Sequence, residues 1–337
     1  MHENSEVKVV APLKAPPEGM SKRLTRLLVP FFGIGFFYLL VIIAFASSSD
    51  RFLTYSNLAN ILSNTSVIGI VALGQVLAII SGGFDLSVTG VLPLGAVTYA
   101  ILSNAGCNNV EAMALSLLVG AFVGLFNGFV ITRLKINPLI ATLGSMSITG
   151  GLAFSLSNGA TISFSNPDAG WLANEIAPGI AYYVVAFVVL AILMTVLLRL
   201  SVFGRMLYAV GGNRDASRLA GIRTDAVTVA VYVVCGALAA LAGVIVSNQL
   251  LAGSATVGTD AALSSIAAVV LGGASLAGGV GSVGGTLVGV LILGTIANGM
   301  VLLQIPSFYQ QIATGAILLL GVGLARLRER LESRGSK

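Results

Sequence analysis

Side chains able to carry out covalent or metal chemistry are scarce in this sequence. Among 337 residues, His2 is the only histidine, and Cys107 and Cys235 are the only cysteines. A structural zinc site needs about four clustered ligands, and an activated nucleophile needs a neighbouring base. We therefore predict no catalytic residue, no metal site and no cofactor bound by this chain. A membrane enzyme is the interpretation with the least support.

The acidic residue closest to an apolar stretch is Asp85, which lies in residues 81–88 with the sequence SGGFDLSV. A carboxylate next to a membrane span is costly and by default suggests a functional role. Two roles remain open for it. Asp85 either caps or stabilises the turn before a helix that starts near Leu86 at the membrane boundary, which we favour, or contacts a transported substrate directly.

A second polar segment occupies residues 204–222, with the sequence GRMLYAVGGNRDASRLAGI. Asn213 is a favourable N-cap, Asp215 lies near the positive end of the helix dipole, and Gly221 suits the position after a helix. The helix predicted between Asn213 and Gly221 is too short to be stable alone. From these residues, a charged loop and a docking helix both remain open.

Apolar stretches long enough to span a membrane must position these residues. The chain is 56% hydrophobic and 9% charged, whereas a soluble domain carries about 25% charged residues. A transmembrane helix needs about 20 residues. We predict ten spans, at residues 28–48, 59–80, 86–105, 110–132, 138–157, 180–199, 226–250, 262–280, 284–303 and 308–325.

The distribution of basic residues indicates how these spans are oriented. With the N-terminus in the cytoplasm, all of the 18 Lys and Arg residues except Arg51 lie on the cytoplasmic side. The predicted fold class is therefore all-α: a polytopic integral membrane protein with about ten transmembrane helices and both termini cytoplasmic. The net charge of +5 follows from this bias, so the prediction includes the lipid bilayer but no nucleic acid as a partner.

The chain divides into one membrane domain and two tails. Residues 1–27 are predicted to form a disordered cytoplasmic N-terminal tail. Residues 28–325 form the transmembrane domain, in which residues 200–225 form a cytoplasmic loop. Residues 326–337 form a basic cytoplasmic C-terminal tail.

Glycine is frequent and occurs at positions suited to helix packing. Gly120, Gly124 and Gly128 are four residues apart and share one face of the fourth predicted span. Small residues on such a face let two helices approach closely in lipid. We predict the same packing role for Gly272 and Gly273.

Two interruptions of the apolar pattern share the sequence Gly-Gly-x-x-Leu, one in residues 81–88 and one in residues 271–279. They are either matched broken helices near a substrate path or two ordinary turns, and both remain open. Most polar residues on the predicted spans are expected to form hydrogen bonds between helices. The candidates for a path or gating role are Gln75, Gly82, Gly83, Asp85, Ser87, Asn127, Asn248, Asn298 and Tyr309.

Five blocks of the sequence resemble the ribose-type bacterial ABC sugar permeases. Two are the segments 81–88 and 204–222 already described. The others are NPLIATLGSM at 137–146, IAAVVLGG at 266–273 and SFYQ at 307–310. The blocks occur in the order found in that family and cover roughly residues 55–330.

The resemblance implies a permease subunit of the bacterial inner membrane that works by alternating access. Its partners would be a cytoplasmic ABC ATPase that binds ATP and Mg, a periplasmic sugar-binding protein, and a second permease copy or a close paralogue. None of the five lysines follows a glycine, so the chain has no P-loop of its own. The resemblance assigns ATPase coupling to Gly204, Arg205, Gly211, Gly212, Asn213, Asp215, Arg218 and Gly221.

Two other transport functions remain as alternatives. An ion-coupled secondary transporter usually needs acidic or histidine relays within the membrane, which this sequence largely lacks. An ABC permease for branched-chain amino acids would have the same architecture. Many sugar permeases of the resembled family carry an acidic pair where this chain has Ala262 and Ser264. The prediction is therefore a monosaccharide or related polyol, with no specific sugar.

Overall fold

The computed structural model of the chain describes residues 20–306, 308–317, 319 and 323, which are mostly helical. Six of the described helices are long and apolar enough to cross a membrane, and three shorter apolar helices accompany them. In chain order the helices are α1 (Met20–Ser48), α2 (Tyr55–Ile80), α3 (Val88–Asn104), α4 (Asn109–Arg133), α5 (Pro138–Leu156), α6 (Tyr182–Leu200), α7 (Val202–Gly212), α8 (Arg214–Leu219), α9 (Thr224–Leu250), α10 (Ala261–Leu271) and α11 (Val283–Leu302), and residues 308–317 are also helical.

Polar residues in the connections determine where several helices begin. At the start of α4, the Asn108 side chain accepts a hydrogen bond from the Glu111 amide, and the Glu111 side chain accepts one from the Asn108 amide. This reciprocal pair is a capping box. Asn137 caps α5, and Pro138 occupies the first helical position, where a missing amide hydrogen costs no bond.

Helix α9 lies at the centre of the domain and packs against α2, α3 and α4. Gly120, Gly124 and Gly128 of α4 face it so closely that a Cβ on any of them would overlap atoms of α9. Gly243 of α9 approaches the backbone of α3, and Gly74 of α2 approaches that of α9, in the same way. These helices therefore meet backbone to backbone, the packing that small residues permit in lipid.

The segment between α5 and α6 folds over one end of α3 and α9. Tyr99 of α3 donates a 2.7 Å hydrogen bond to the Ala169 carbonyl, and the Leu172 amide donates one of 3.1 Å to the Asn248 side chain of α9. We call residues 158–181 the cap segment. It contains a 3-10 helix (Pro167–Ala173) and the short strands β1 (Ile162–Ser163), β2 (Glu175–Ala177) and β3 (Ile180–Ala181). Strand β1 pairs with β4 (Ala252–Gly253), which follows α9, and β2 pairs with β3.

The predicted all-α class is confirmed, since the strands are only two or three residues long. One predicted span, 262–280, is corrected. It is helical only as α10, which ends at Leu271 because the next residues form a turn in which Gly273 has a φ of 88°. Helix α1 begins at Met20, ahead of the predicted start at residue 28. The rest of the predicted N-terminal tail and all of the C-terminal tail lie outside the described residues.

We expect Gly124→Leu to prevent assembly of the contact between α4 and α9, because the new side chain would overlap the Tyr232 carbonyl. The measurement is the yield of monodisperse protein after size-exclusion chromatography in detergent. Gly35→Leu is the matched control, since nothing lies within 4 Å of that position on α1. Equal yields of the two variants would contradict the packing described for α4.

Candidate functional site

A buried polar network joins the α2–α3 connection to α4 and α5. Asp85 is fully buried, and its Oδ1 accepts hydrogen bonds from the amide and the hydroxyl of Ser87. The Asn127 side chain donates a 2.9 Å hydrogen bond to Ser87 Oγ, and the Ser145 hydroxyl donates one to Asn127 Oδ1. A carboxylate that binds the amide two residues further on stabilises a turn. Asp85 therefore has the geometry of the first of the two roles considered for it.

This network lies well inside the domain. Asn127 is six residues before α4 ends at Arg133, and Ser145 is seven residues after α5 begins at Pro138. At 1.5 Å per residue, both helices extend about 10 Å beyond the network. Asp85 is therefore deeper than the boundary position predicted for it, because the chain turns back into the domain after α2 ends.

Two glycine-containing turns meet the last turn of α7 at the end of the domain opposite the cap segment. A Cβ on Gly278 would lie 2.7 Å from the Gly211 carbonyl oxygen and 2.9 Å from the Gly82 Cα. The Gly279 amide donates a 2.9 Å hydrogen bond to the Ile80 carbonyl at the end of α2. We call Gly82, Gly211, Gly278 and Gly279 the glycine junction. The segments 81–88 and 271–279, which hold the two Gly-Gly interruptions, thus contact each other and the end of α7.

Helix α7 is held against the glycine junction by a side-chain bond. Tyr208 donates a 2.8 Å hydrogen bond to the Gly281 carbonyl, in the stretch between α10 and α11. Burial raises the pKa of Tyr208, so its hydroxyl remains protonated and continues to donate. At the other end, Ser201 begins α7 by accepting a hydrogen bond from the Gly204 amide.

Helix α8 is short and is fixed at both ends. The Asn213 side chain caps its first turn, and Gly221 follows it with a φ of 83°, so the predicted N-cap and C-terminal glycine are confirmed. Arg214 forms a 3.0 Å ion pair with Asp225 of α9. Leu219, at the end of α8, is 91% exposed. The loop therefore presents an apolar side chain on a helix that is attached to α9.

The structure brings the predicted coupling residues together on α7, α8 and the residues next to them. Gly204 is buried at the start of α7, and Gly211 belongs to the glycine junction. The remaining members of the set are exposed at this end of the domain. They are Arg205, Gly212, Asn213, Asp215, Arg218 and Gly221.

The predicted path residues are not brought to one place. Asn248 joins α9 to the cap segment. Gln75 and Asn298 are buried, and neither amide atom of Gln75 nor the Asn298 Oδ1 has a hydrogen-bond partner within the described part of the chain. Tyr309 is half exposed in the helical residues 308–317. Only the Asp85 network connects several of the predicted residues.

Several residues of the site were not predicted from the sequence. They include Ser145 and Tyr208, and also Tyr232, whose hydroxyl donates a hydrogen bond to the carbonyl of Phe84 beside Gly83. Their partners lie far away in the chain, so no local pattern indicates them. Leu219 did carry a signal, since it is a large apolar side chain within a charged loop.

Comparison with known proteins decides the family. A family model described as branched-chain amino acid transport system / permease component matches residues 57–322. The chain belongs to this permease family. Together with its apolar helices, this membership makes the permease a multi-pass protein of the inner membrane.

The permease is similar over most of its length to sugar import proteins. It is 39% identical over 289 residues to the ribose import permease protein of Escherichia coli (strain K12), covering 84% of this chain and 90% of that protein. It is 38% identical over 299 residues to the ribose import permease protein of Bacillus subtilis (strain 168), covering 88% and 92%. The L-arabinose ABC transporter permease protein of Azospirillum brasilense is 36% identical over 290 residues, 86% of each chain. No solved structure is a significant match.

We expect Ser145→Ala to destabilise the permease by about 1–2 kcal/mol, because it leaves the buried Asn127 carbonyl oxygen without its donor. The measurement is the thermal unfolding midpoint in detergent. Ser147→Ala is the matched control on the same helix, since the exposed Ser147 hydroxyl bonds only the Leu143 carbonyl of its own helix. A midpoint for Ser145→Ala equal to that of the control would show that the network adds no stability.

Proposed function

We propose that this permease is the membrane-spanning subunit of an ATP-driven importer that moves a monosaccharide or related polyol across the bacterial inner membrane. The observation that carries the proposal is the identity of 38–39% to ribose import permeases of two bacteria over most of both chains. The relative named for L-arabinose supports the sugar class and not one particular sugar.

In this proposal the permease has about ten spans with both termini in the cytoplasm. The end that carries α7 and α8 is then cytoplasmic, and the cap segment faces the periplasm. This orientation agrees with the distribution of basic residues, since cytoplasmic segments retain them. Helices α7 and α8 carry Arg205, Arg214 and Arg218.

A separate cytoplasmic ABC ATPase, which holds ATP and Mg, docks on α7 and α8. The exposed Leu219 is the apolar contact, and the Arg214–Asp225 ion pair transmits movement of α8 to α9. Movement of α7 is transmitted through the glycine junction to the ends of α2 and α10. Nucleotide binding thereby acts on the connections that border the Asp85 network.

A second permease copy, or a close paralogue, completes the path on the open face of α5. That face carries Gly144, Ser147 and Gly151, and a Cβ on either glycine would meet nothing within 4 Å. Small and weakly polar residues are unusual on a lipid-facing surface but suit a close helix contact or a polar path. A periplasmic sugar-binding protein delivers the substrate from the side of the cap segment.

Branched-chain amino acids are the second candidate substrate class, because the description of the matching family names them. The test is uptake into proteoliposomes that contain the permease, its ATPase and its binding protein. Labelled pentoses and hexoses, including D-ribose and L-arabinose, are compared with labelled leucine and valine. We expect ATP-dependent uptake of a sugar, and uptake of the amino acids alone would overturn the sugar assignment.

We expect Leu219→Ala to lower sugar uptake at least tenfold while insertion and folding are retained, because the apolar contact with the ATPase is lost. The measurements are uptake and co-purification of the ATPase in mild detergent. Leu118→Ala is the matched control, since Leu118 is 63% exposed on the lipid-facing side of α4. Full uptake and full ATPase recovery with Leu219→Ala would place the docking surface elsewhere.

A further inference from the structure

The nonhelical segment between α9 and α10 descends deep into the membrane domain. A Cβ on Gly258 would lie 2.7 Å from the Leu92 side chain of α3, and the Leu92 carbonyl lies against Gly243 of α9. Gly243 is seven residues before α9 ends at Leu250. At 1.5 Å per residue, Gly258 is about 10 Å below that end of α9.

The depth measured from the opposite end is similar. The Ala262 amide donates a 3.2 Å hydrogen bond to Thr89 Oγ1, and Thr89 follows the network residue Ser87 by two positions. Since α4 and α5 extend about 10 Å beyond that network, α10 begins well inside the domain. Residues 256–262 therefore lie near the middle of the membrane.

This segment exposes polar side chains at a depth where lipid offers them no partner. Thr256, Thr259 and Asp260 are exposed, and Asp260 Oδ2 accepts a 3.0 Å hydrogen bond from the Ser264 hydroxyl. A carboxylate facing hydrocarbon is costly. Nonhelical backbone at membrane depth is tolerated only where protein buries it or where it borders water. Lipid alone therefore does not cover the exposed side of the segment, which borders water or a second permease copy.

Helix α5 lies near one point of this segment. Ala255 of the segment and Ala153 of α5 belong to one small apolar cluster, so the segment passes near α5 at Ala255. The open face of α5 carries Ser147 and Gly151. At about 100° per residue, these two residues lie on other sides of α5 than Ala153, so they form a separate exposed surface.

We infer that Asp260, positioned by the buried Ser264 and assisted by Thr256 and Thr259, binds the hydroxyl groups of a monosaccharide midway through the membrane. The inference rests on the proposed function, which supplies the sugar class. An ionised carboxylate only accepts hydrogen bonds, whereas serine and threonine hydroxyls both donate and accept. This set therefore matches the hydroxyls of a sugar, which also donate and accept.

The first test measures access of water to the segment and needs no transport. Thr256→Cys and Thr259→Cys are made in a Cys107→Ala chain and treated in membranes with the charged thiol reagent methanethiosulfonate ethylsulfonate. Phe122→Cys is the control, because Phe122 is 69% exposed on the apolar face of α4. We expect both segment cysteines to react at least tenfold faster than the control. Rates equal to the control would show that the segment faces lipid or protein and would overturn the inference.

The second test separates a sugar contact from a structural role. Asp260→Asn and Ser264→Ala are assayed in proteoliposomes with the ATPase and binding protein, using the transported sugar found among the labelled pentoses and hexoses. We expect Asp260→Asn to lower maximal uptake at least tenfold and Ser264→Ala several-fold, with ATP hydrolysis stimulated by the binding protein kept within twofold. Asp50→Asn, an exposed carboxylate next to the end of α1, should leave both unchanged.

The outcomes distinguish this inference from the function on which it rests. If the wild type takes up sugar and Asp260→Asn takes it up equally well, only the proposed contact between Asp260 and the sugar is overturned. Equal loss of uptake and of stimulated ATP hydrolysis would reassign Asp260 to structure. A wild-type complex that takes up no sugar of the panel would contradict the proposed function, while the thiol rates would still report whether water reaches the segment.

Discussion

Direct backbone contact around α9 is the constraint on which the rest of this permease depends. Lipid provides no hydrophobic force between helices, so close packing and hydrogen bonds must hold them together. Gly74, Gly124 and Gly243 each provide such a contact, joining α9 to α2, α4 and α3. These contacts also set the ends of α2 and α3, and thereby the positions of the Asp85 network and the glycine junction.

Each nonhelical connection inside the membrane domain has hydrogen bonds of its own, and these allow irregular backbone there. In the α2–α3 connection, Asp85 Oδ1 accepts hydrogen bonds from the amide and the hydroxyl of Ser87. At the end of α2, the Ile80 carbonyl accepts a hydrogen bond from the Gly279 amide. The α9–α10 segment takes support from α3 at Thr89. Irregular backbone at this depth otherwise leaves polar groups without partners. These nonhelical connections thus occur at the positions where the proposed transport cycle requires segments that change conformation.

Local patterns in the sequence predicted most of the helices but not the contacts between their interruptions. Caps such as Asn137 and Asn213 act within one turn, so their positions could be predicted correctly. The end of α10 was missed, because the apolar pattern continues beyond Leu271 while the turn depends on the conformation of Gly273. The network around Asp85 was also missed, since its other members come from helices distant in the chain. Exposure of the α9–α10 segment likewise follows only from tertiary packing.

Helix α9 has 27 residues and is therefore about 40 Å long. Near one end Asp225 pairs with Arg214 of α8, and near the other Asn248 accepts a hydrogen bond from the cap segment. A rod of this kind can transmit a tilt from one membrane face to the other without a relay of side-chain rearrangements. Binding of a partner to the cap segment would then displace α8 directly, because α9 would move as a rigid body.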